Sequence, residues 1–180
     1  MKVYGKLALL VVFAVLLLTG CGKGDKNALS VFMIDNQSDP SQVYEKVQDK
    51  LQEVMGPDLK VKVSASPIYN PEKLMVEYAA GGHDIIFLPE DDMKNYAKMG
   101  GHTVLDSYFD PKKYPDGVFA SNEEKEDGTT DTTEHLYGIP VREMKFFKDQ
   151  KYVPEKLYAT IPISAKSVDN AVKALKALTE

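Results

Sequence analysis

The stretch Gly81-Gly82-His83-Asp84-Ile85-Ile86-Phe87-Leu88-Pro89-Glu90-Asp91-Asp92 decides how the chain is read. Residues 85–88 are apolar at every position. A strand without alternation is buried on both faces, as in the middle of a parallel sheet covered by helices. Ahead of it, Asn70 is a capping residue and Pro71 suits the first helical position, where a missing N–H costs nothing. The spacing predicts a helix over 71–80 with Leu74, Met75, Tyr78 and Ala79 facing inward. Gly81 and Gly82 stop it, because a glycine past the last turn closes the orphan carbonyls in a left-handed conformation. After the strand, Glu90, Asp91 and Asp92 fall in the first turn of the next helix, where the macrodipole favours carboxylates.

Upstream, residues 29–34 form a mostly apolar strand, and 35–39 are the loop at its carboxyl end. Asp39-Pro40-Ser41-Gln42 has the spacing of a capping box. The helix that follows carries Val43, Tyr44, Val47, Leu51, Val54 and Met55 on one stripe, and Gly56-Pro57 ends it. In the next strand Leu59, Val61 and Val63 alternate with Lys60, Lys62 and Ser64, so one face is buried and an edge position is expected. The right-handed crossover rule then gives the strand order second, first, third. The fold class is therefore α/β, a three-layer, doubly wound, mainly parallel sheet. Its ligands are expected outside the carboxyl ends of the strands.

Composition agrees with one ordinary globular core: 180 residues, 43% hydrophobic and 27% charged. The formal net charge is -5; without Lys2 and Lys6, 20 basic residues face 27 acidic ones, or -7. Such a balance excludes nucleic acid as a partner, because displacing counterions from a duplex needs a basic face.

Lys2 and Lys6 form a positive n-region before an unbroken apolar run of 12 residues, 7–18, too short for a conventional membrane span. Residues 1–20 read as a signal peptide. Its end, Leu18-Thr19-Gly20-Cys21, resembles the lipobox of bacterial lipoproteins, which implies a diacylglyceryl thioether and palmitate on Cys21 and a lipid anchor on the extracytoplasmic face of the cell membrane. Cys21 is the one cysteine of the chain, so no internal disulfide competes for it. Residues 21–28 then read as a polar, glycine-containing tether, and 29–180 as a single lobe.

Two runs, Lys73-Leu74-Met75-Val76-Glu77-Tyr78-Ala79-Ala80-Gly81-Gly82-His83-Asp84-Ile85-Ile86 and Leu136-Tyr137-Gly138-Ile139-Pro140-Val141, carry a family likeness. Together with Ala159-Thr160-Ile161-Pro162-Ile163-Ser164 they resemble the extracellular solute-binding proteins of ABC transporters, which have the type 2 periplasmic-binding fold. The resemblance implies a small polar solute, such as a sugar-like one, and an ABC transporter permease or other membrane protein as partner. It also implies a length well over twice this one, because the family inserts a second lobe after the Tyr-Gly-Ile-Pro strand. Here the match is to the first lobe only. Half of a two-lobed clamp leaves its groove open to water, which weakens the polar contacts made there.

Between 106 and 134 the prolines, glycines and polar run predict a long surface loop, flexible near 110–134. Counting Glu123 as the first position of a calcium loop places Asp127, Gly128, Asp131 and Glu134 suitably. Lys125 at the third position puts a cation where the metal belongs, so a solvated acidic loop is the reading. Further on, 157–163 reads as a strand with Pro162 near its end, a residue confined to edges and strand ends. Ser167 caps a last helix whose inward stripe is Val168, Ala171, Val172, Leu175 and Leu178, with Lys173 and Lys176 facing water.

The strand-end loops name the candidate ligand-binding residues: Asp35 and Asn36 with Gln37, Tyr69 with Asn70, Glu90 and Asp91, and Arg142. An aromatic face beside amide and carboxylate groups suits a polar solute, the ring stacking while polar groups bond hydroxyls. The same residues are also turn and capping types, so each has a purely structural role open to it. Nothing points to catalysis. His83, His102 and His135 lack metal-ligand spacing, His83 reads as an exposed turn residue on the amino side of the sheet, and no nucleophile elbow, Walker loop or zincin motif is present. No cofactor or metal is implied. Three functional classes remain: a lipid-anchored solute-binding protein, a single-lobe scaffold lipoprotein that contacts a membrane protein without a solute, and an exported enzyme whose turnover would depend on Glu90 and Asp91, for which the sequence names no reaction.

Overall fold

The computed structural model describes residues 28–121 and 128–180. The signal peptide, Cys21, nearly all of the tether, and Glu123, Lys125 and Asp127 of the calcium count lie outside them. The apolar run at the centre forms strand β3, Ile85–Pro89, buried at every position. On one side it pairs in parallel with β1, Ala28–Ile34, which pairs in parallel with β2, Lys60–Ser66. On the other it pairs antiparallel with β7, Leu157–Thr160, which is antiparallel to β6, Ile139–Pro140. The order is β2-β1-β3-β7-β6, so the expected second-first-third sequence stands and only β7 runs against the rest.

The strand expected over 157–163 is shorter, Leu157–Thr160, and interior, between β3 and β6. Proline is absent from its ladder because pairing ends at Thr160, and Pro162 lies beyond, bridged to His102.

Helices cover both faces. Leu29, Val31 and Met33 of β1 point to one side, where they meet Val47 and Leu51 of α1, Tyr44–Met55, Phe147 of α4, Lys145–Asp149, and Leu175 and Leu178 of α5, Val168–Thr179. Phe32 and Ile34 point to the other, against Leu74 of α2, Pro71–Ala80, and Met93 of α3, Glu90–Lys98. Alternation along one strand thus supplies both cores. Each fully buried Leu or Phe stabilises the fold by about 1.5–3 kcal/mol.

The caps behave as their chemistry requires. The side chain of Asn70 accepts from the N–H of Lys73 at 2.7 Å, and that of Ser167 from Asn170 at 3.2 Å. Asp39 differs. Its carboxylate accepts from Ser41 and caps a short 3-10 turn, Pro40–Gln42, while α1 starts separately after Val43 with no side-chain cap. The inward face of α2 is also narrower than its spacing suggests. Leu74 is buried and Tyr78 half-buried, but Ala79 is exposed and Met75 is 57% exposed. The reason lies in the sheet: on this side β2 presents Lys60, Lys62 and Ser64, which are exposed, so α2 rests on β1 and β3 along a single line.

The segment expected to be one long loop is partly built. Two 3-10 turns, Pro111–Lys113 and Pro115–Gly117, lead into β4, Val118–Ala120, which pairs antiparallel with β5, Glu134–Leu136. Glycine makes this possible. A Cβ on Gly117 would lie 1.9 Å from the carbonyl oxygen of Gly138, and one on Gly138 would lie 2.4 Å from Met93 Sδ. The Tyr-Gly-Ile-Pro segment is therefore a backbone crossing that presses the small sheet onto α3.

Candidate functional site

Parallel β1, β2, β3 and β6 all end at the same side of the sheet, and β7 begins there. The candidate residues therefore share a rim, in two groups and an outlier.

The first group forms around Tyr158. Its ring is 2% exposed, and burial, chiefly, holds its phenol above the ordinary tyrosine range. Arg142, in the 3-10 turn Val141–Glu143 after β6, lies beside the Tyr158 hydroxyl and hydrogen-bonds the carbonyl of Glu155 and the carboxylate of Asp116. Glu90, whose N–H donates to the carbonyl of Lys156 at 2.9 Å, accepts from Lys94 Nζ at 2.5 Å. That ammonium lies 6.0 Å over the ring of Phe119 on β4, which in turn packs against Tyr137. Glu90 and Arg142 are thus brought to one patch, each already neutralised by a partner. Such a patch offers hydrogen bonds without net charge.

The second group links the end of β2 to the start of α3. Tyr69 donates to Asp92 Oδ2 at 2.9 Å. Burial and this carboxylate push the Tyr69 phenol up to about 12, and burial raises Asp92 as well. Asp91 beside it is exposed. Asp92 was legible only as a dipole partner, yet it holds the one aromatic side chain of the candidate set.

Asp35 stands apart. It is 3% exposed, and its carboxylate accepts from the N–H groups of Gln37 and Ser38 and from the Ser38 hydroxyl. The same oxygen lies 3.0 Å from the Tyr152 hydroxyl, which donates to it, and burial pushes that phenol up to about 12. Asp35 shapes the loop, and Asn36 and Gln37 are what it exposes. Asn70 is occupied as the cap of α2.

The histidines are more engaged than an exposed turn residue would be, which corrects that expectation for His83. Its side chain is 14% exposed, bonded through both nitrogens to Ser30 and Glu77, and stacked on Phe32. His102 is buried, with Nε2 3.0 Å from the carbonyl of Met93 and Nδ1 3.2 Å from the Tyr78 hydroxyl. A carbonyl only accepts, so Nε2 carries the proton and Nδ1 accepts from Tyr78. Burial holds this ring neutral by pushing its pKa down to about 4. His135 bonds Asp106 at 2.6 Å. Among the described residues no cluster of His, Cys, Asp and Glu is built to hold a metal, and no helix is long and apolar enough to cross a membrane.

Sequence reasoning missed Lys94, Asp116, Phe119 and Tyr158 at this rim. Lys94 carried a readable signal, four residues after Glu90 on one helix. Tyr158 and Asp116 arrive through the antiparallel strand and the small sheet, which no local pattern announces.

No protein-family model and no curated protein matches the chain. Solved structures similar to part of it are extracellular solute-binding proteins. An ABC substrate-binding protein from Listeria monocytogenes in complex with cycloalternan is 23% identical, covers 72% of this chain and 34% of its own, and has a TM-score of 0.44. A family 1 extracellular solute-binding protein from Alicyclobacillus acidocaldarius is 22% identical, covers 63% and 27%, and has a TM-score of 0.42. An ABC transporter solute-binding protein from Agrobacterium vitis with bound D-mannitol is 18% identical, covers 69% and 31%, and has a TM-score of 0.42. The chain spans about a third or less of the length of these structures.

Proposed function

We propose that the protein is an exported lipoprotein, anchored to the cell membrane through Cys21, that binds a small polar solute at the rim where β1, β2, β3 and β6 end. The observation that carries this reading is the convergence of Asn36, Tyr69, Asp91 and the Glu90–Arg142 patch on that one side of the sheet. Exposed amide and carboxylate groups beside a tyrosine ring suit a hydroxyl-rich ligand such as a sugar. The solved structures with cycloalternan and D-mannitol suggest the same class. An ABC transporter permease is the natural recipient of such a solute.

A melting-shift screen of the full chain against sugars, amino acids, peptides and metal ions tests the reading, since a ligand selective for the folded state raises the midpoint. A shift with a sugar that Asn36→Ala and Asp91→Ala remove supports it. No shift with any class overturns it. Cys21→Ser is expected to abolish incorporation of labelled palmitate.

A single-lobe scaffold is favoured by a different observation. Ile68, Met75 and Val76 are 75%, 57% and 60% exposed along and just before α2, a strip suited to a membrane-protein partner. Co-purification with a membrane protein that Met75→Lys abolishes, in the absence of any ligand shift, selects this reading.

A further inference from the structure

Away from the rim, Ser30, His83 and Glu77 form a chain of hydrogen bonds. Ser30 lies near the start of β1, and its Oγ is 3.0 Å from His83 Nδ1; His83 Nε2 is 2.9 Å from Glu77 Oε2. An ionised carboxylate only accepts, so the neutral ring carries its proton on Nε2. Nδ1 then presents its lone pair to the Ser30 hydroxyl, and that hydroxyl donates to it.

Local structure locks the three side chains together. Gly81 and Gly82, at φ 66° and 96°, turn the chain back so that His83 reaches the last turns of α2, where Glu77 stands. The N–H of Asp84 donates to the Ser30 carbonyl at 2.7 Å, and the N–H of Ser30 donates to Asp84 Oδ2 at 2.8 Å. Phe32 stacks on the imidazole with centroids 5.3 Å apart and planes 23° from parallel. Ser30 and His83 are each partly open to solvent. Lys62, the register partner of Ser30 on β2, is exposed and brings a positive charge to the same face of the sheet.

We infer that Ser30 is a nucleophile, with His83 as its general base and Glu77 as the group that orients the ring, and that it accepts the acyl group of small carboxylic esters. A hydroxyl bonded to a base that is itself held by a carboxylate is the arrangement that activates serine. Ser30 Oγ bonds to the ester carbonyl carbon as its proton passes to Nδ1. The carbon–oxygen bond to the leaving group then breaks, and the alcohol leaves with the proton from Nδ1. Water, deprotonated by the same nitrogen, releases the carboxylic acid and restores Ser30. This activity is independent of solute binding at the rim.

The test is covalent labelling of the purified full chain with diisopropyl fluorophosphate, read by intact mass and peptide mapping. Attack forms the Oγ–P bond and breaks P–F, the proton passing to His83 and fluoride leaving. One adduct on Ser30 is expected, with none in Ser30→Ala. Labelling in Glu77→Gln and His83→Gln is expected to slow by roughly 10²-fold or more, and a burst of p-nitrophenolate from p-nitrophenyl acetate should follow the same order. Glu77→Gln keeps the size of a half-exposed side chain, so it remains informative if His83→Gln fails to fold. No adduct on Ser30, or an adduct formed equally fast in Glu77→Gln, overturns the proposal.

Discussion

Lys166 Nζ lies 3.3 Å from Asp84 Oδ2, and the N–H of Lys166 donates to Asp84 Oδ1 at 2.8 Å, across 82 residues of sequence. Asp84 is 1% exposed, and Oδ2 also accepts from the N–H of Ser30. One carboxylate therefore ties the start of β1, the start of β3 and the turn into α5. Removing it would leave two backbone donors unpaired and take the counter-charge from the Lys166 ammonium, which keeps its bond to the carbonyl of Ala28. Asp84→Ala is expected to cost about 3 kcal/mol, read from the midpoint of urea unfolding. Lys166→Met, which leaves the backbone bonds in place, should cost less than half as much.

Gly117 and Gly138 differ in what a methyl group would strike. At Gly117 the obstacle is a backbone carbonyl, and at Gly138 it is the side-chain sulfur of the buried Met93. Gly138→Ala should cost about 1–3 kcal/mol, the usual penalty of overpacking. Gly117→Ala should cost more, and should also release the β4–β5 sheet, visible as faster amide exchange at Leu136 and Tyr137.

Lys151 sits at φ 58° just after α4, where its N–H donates to the carbonyl of Lys148. A side chain in the left-handed region is strained, and glycine adopts it freely. Lys151→Gly is expected to raise stability by about 0.5–1 kcal/mol, seen as a higher melting midpoint with no change in the circular dichroism spectrum.

Acid should weaken the fold through His102. The ring is ordinary at 6.5 when unfolded and is held at about 4 when folded. Between these values the unfolded chain binds the proton and the folded chain does not, so stability falls as pH drops from about 6.5 toward 4. The loss from this group should reach about 2 kcal/mol by pH 5. Unfolding curves from pH 7 to 5 for the wild type and for His102→Gln should show the slope reduced in the variant.

Much of the fold was legible because it rests on neighbours a few residues apart. Asn70 and Ser167 cap helices with their own side chains, α5 buries the stripe its spacing predicts, and the unbroken run at β3 is the central strand. The rim was half legible. Strand ends point to Asp35, Tyr69, Glu90 and Arg142, but not to which of them the fold already occupies. Asp35 is closed onto its own loop, and Arg142 is held by Asp116 and Tyr158.

By itself, then, the sequence determined the parallel β2-β1-β3 core, its helices and the side on which ligands are expected, because hydrophobic period and capping are short-range chemistry. Only the tertiary structure decided that β7 enters backward between β3 and β6, that Tyr158 anchors the rim, and that Ser30 meets His83 from 53 residues away. Those relations are set by the order in which strands pair. Pairing order is chosen by the burial of the whole sheet and leaves no mark in any local window.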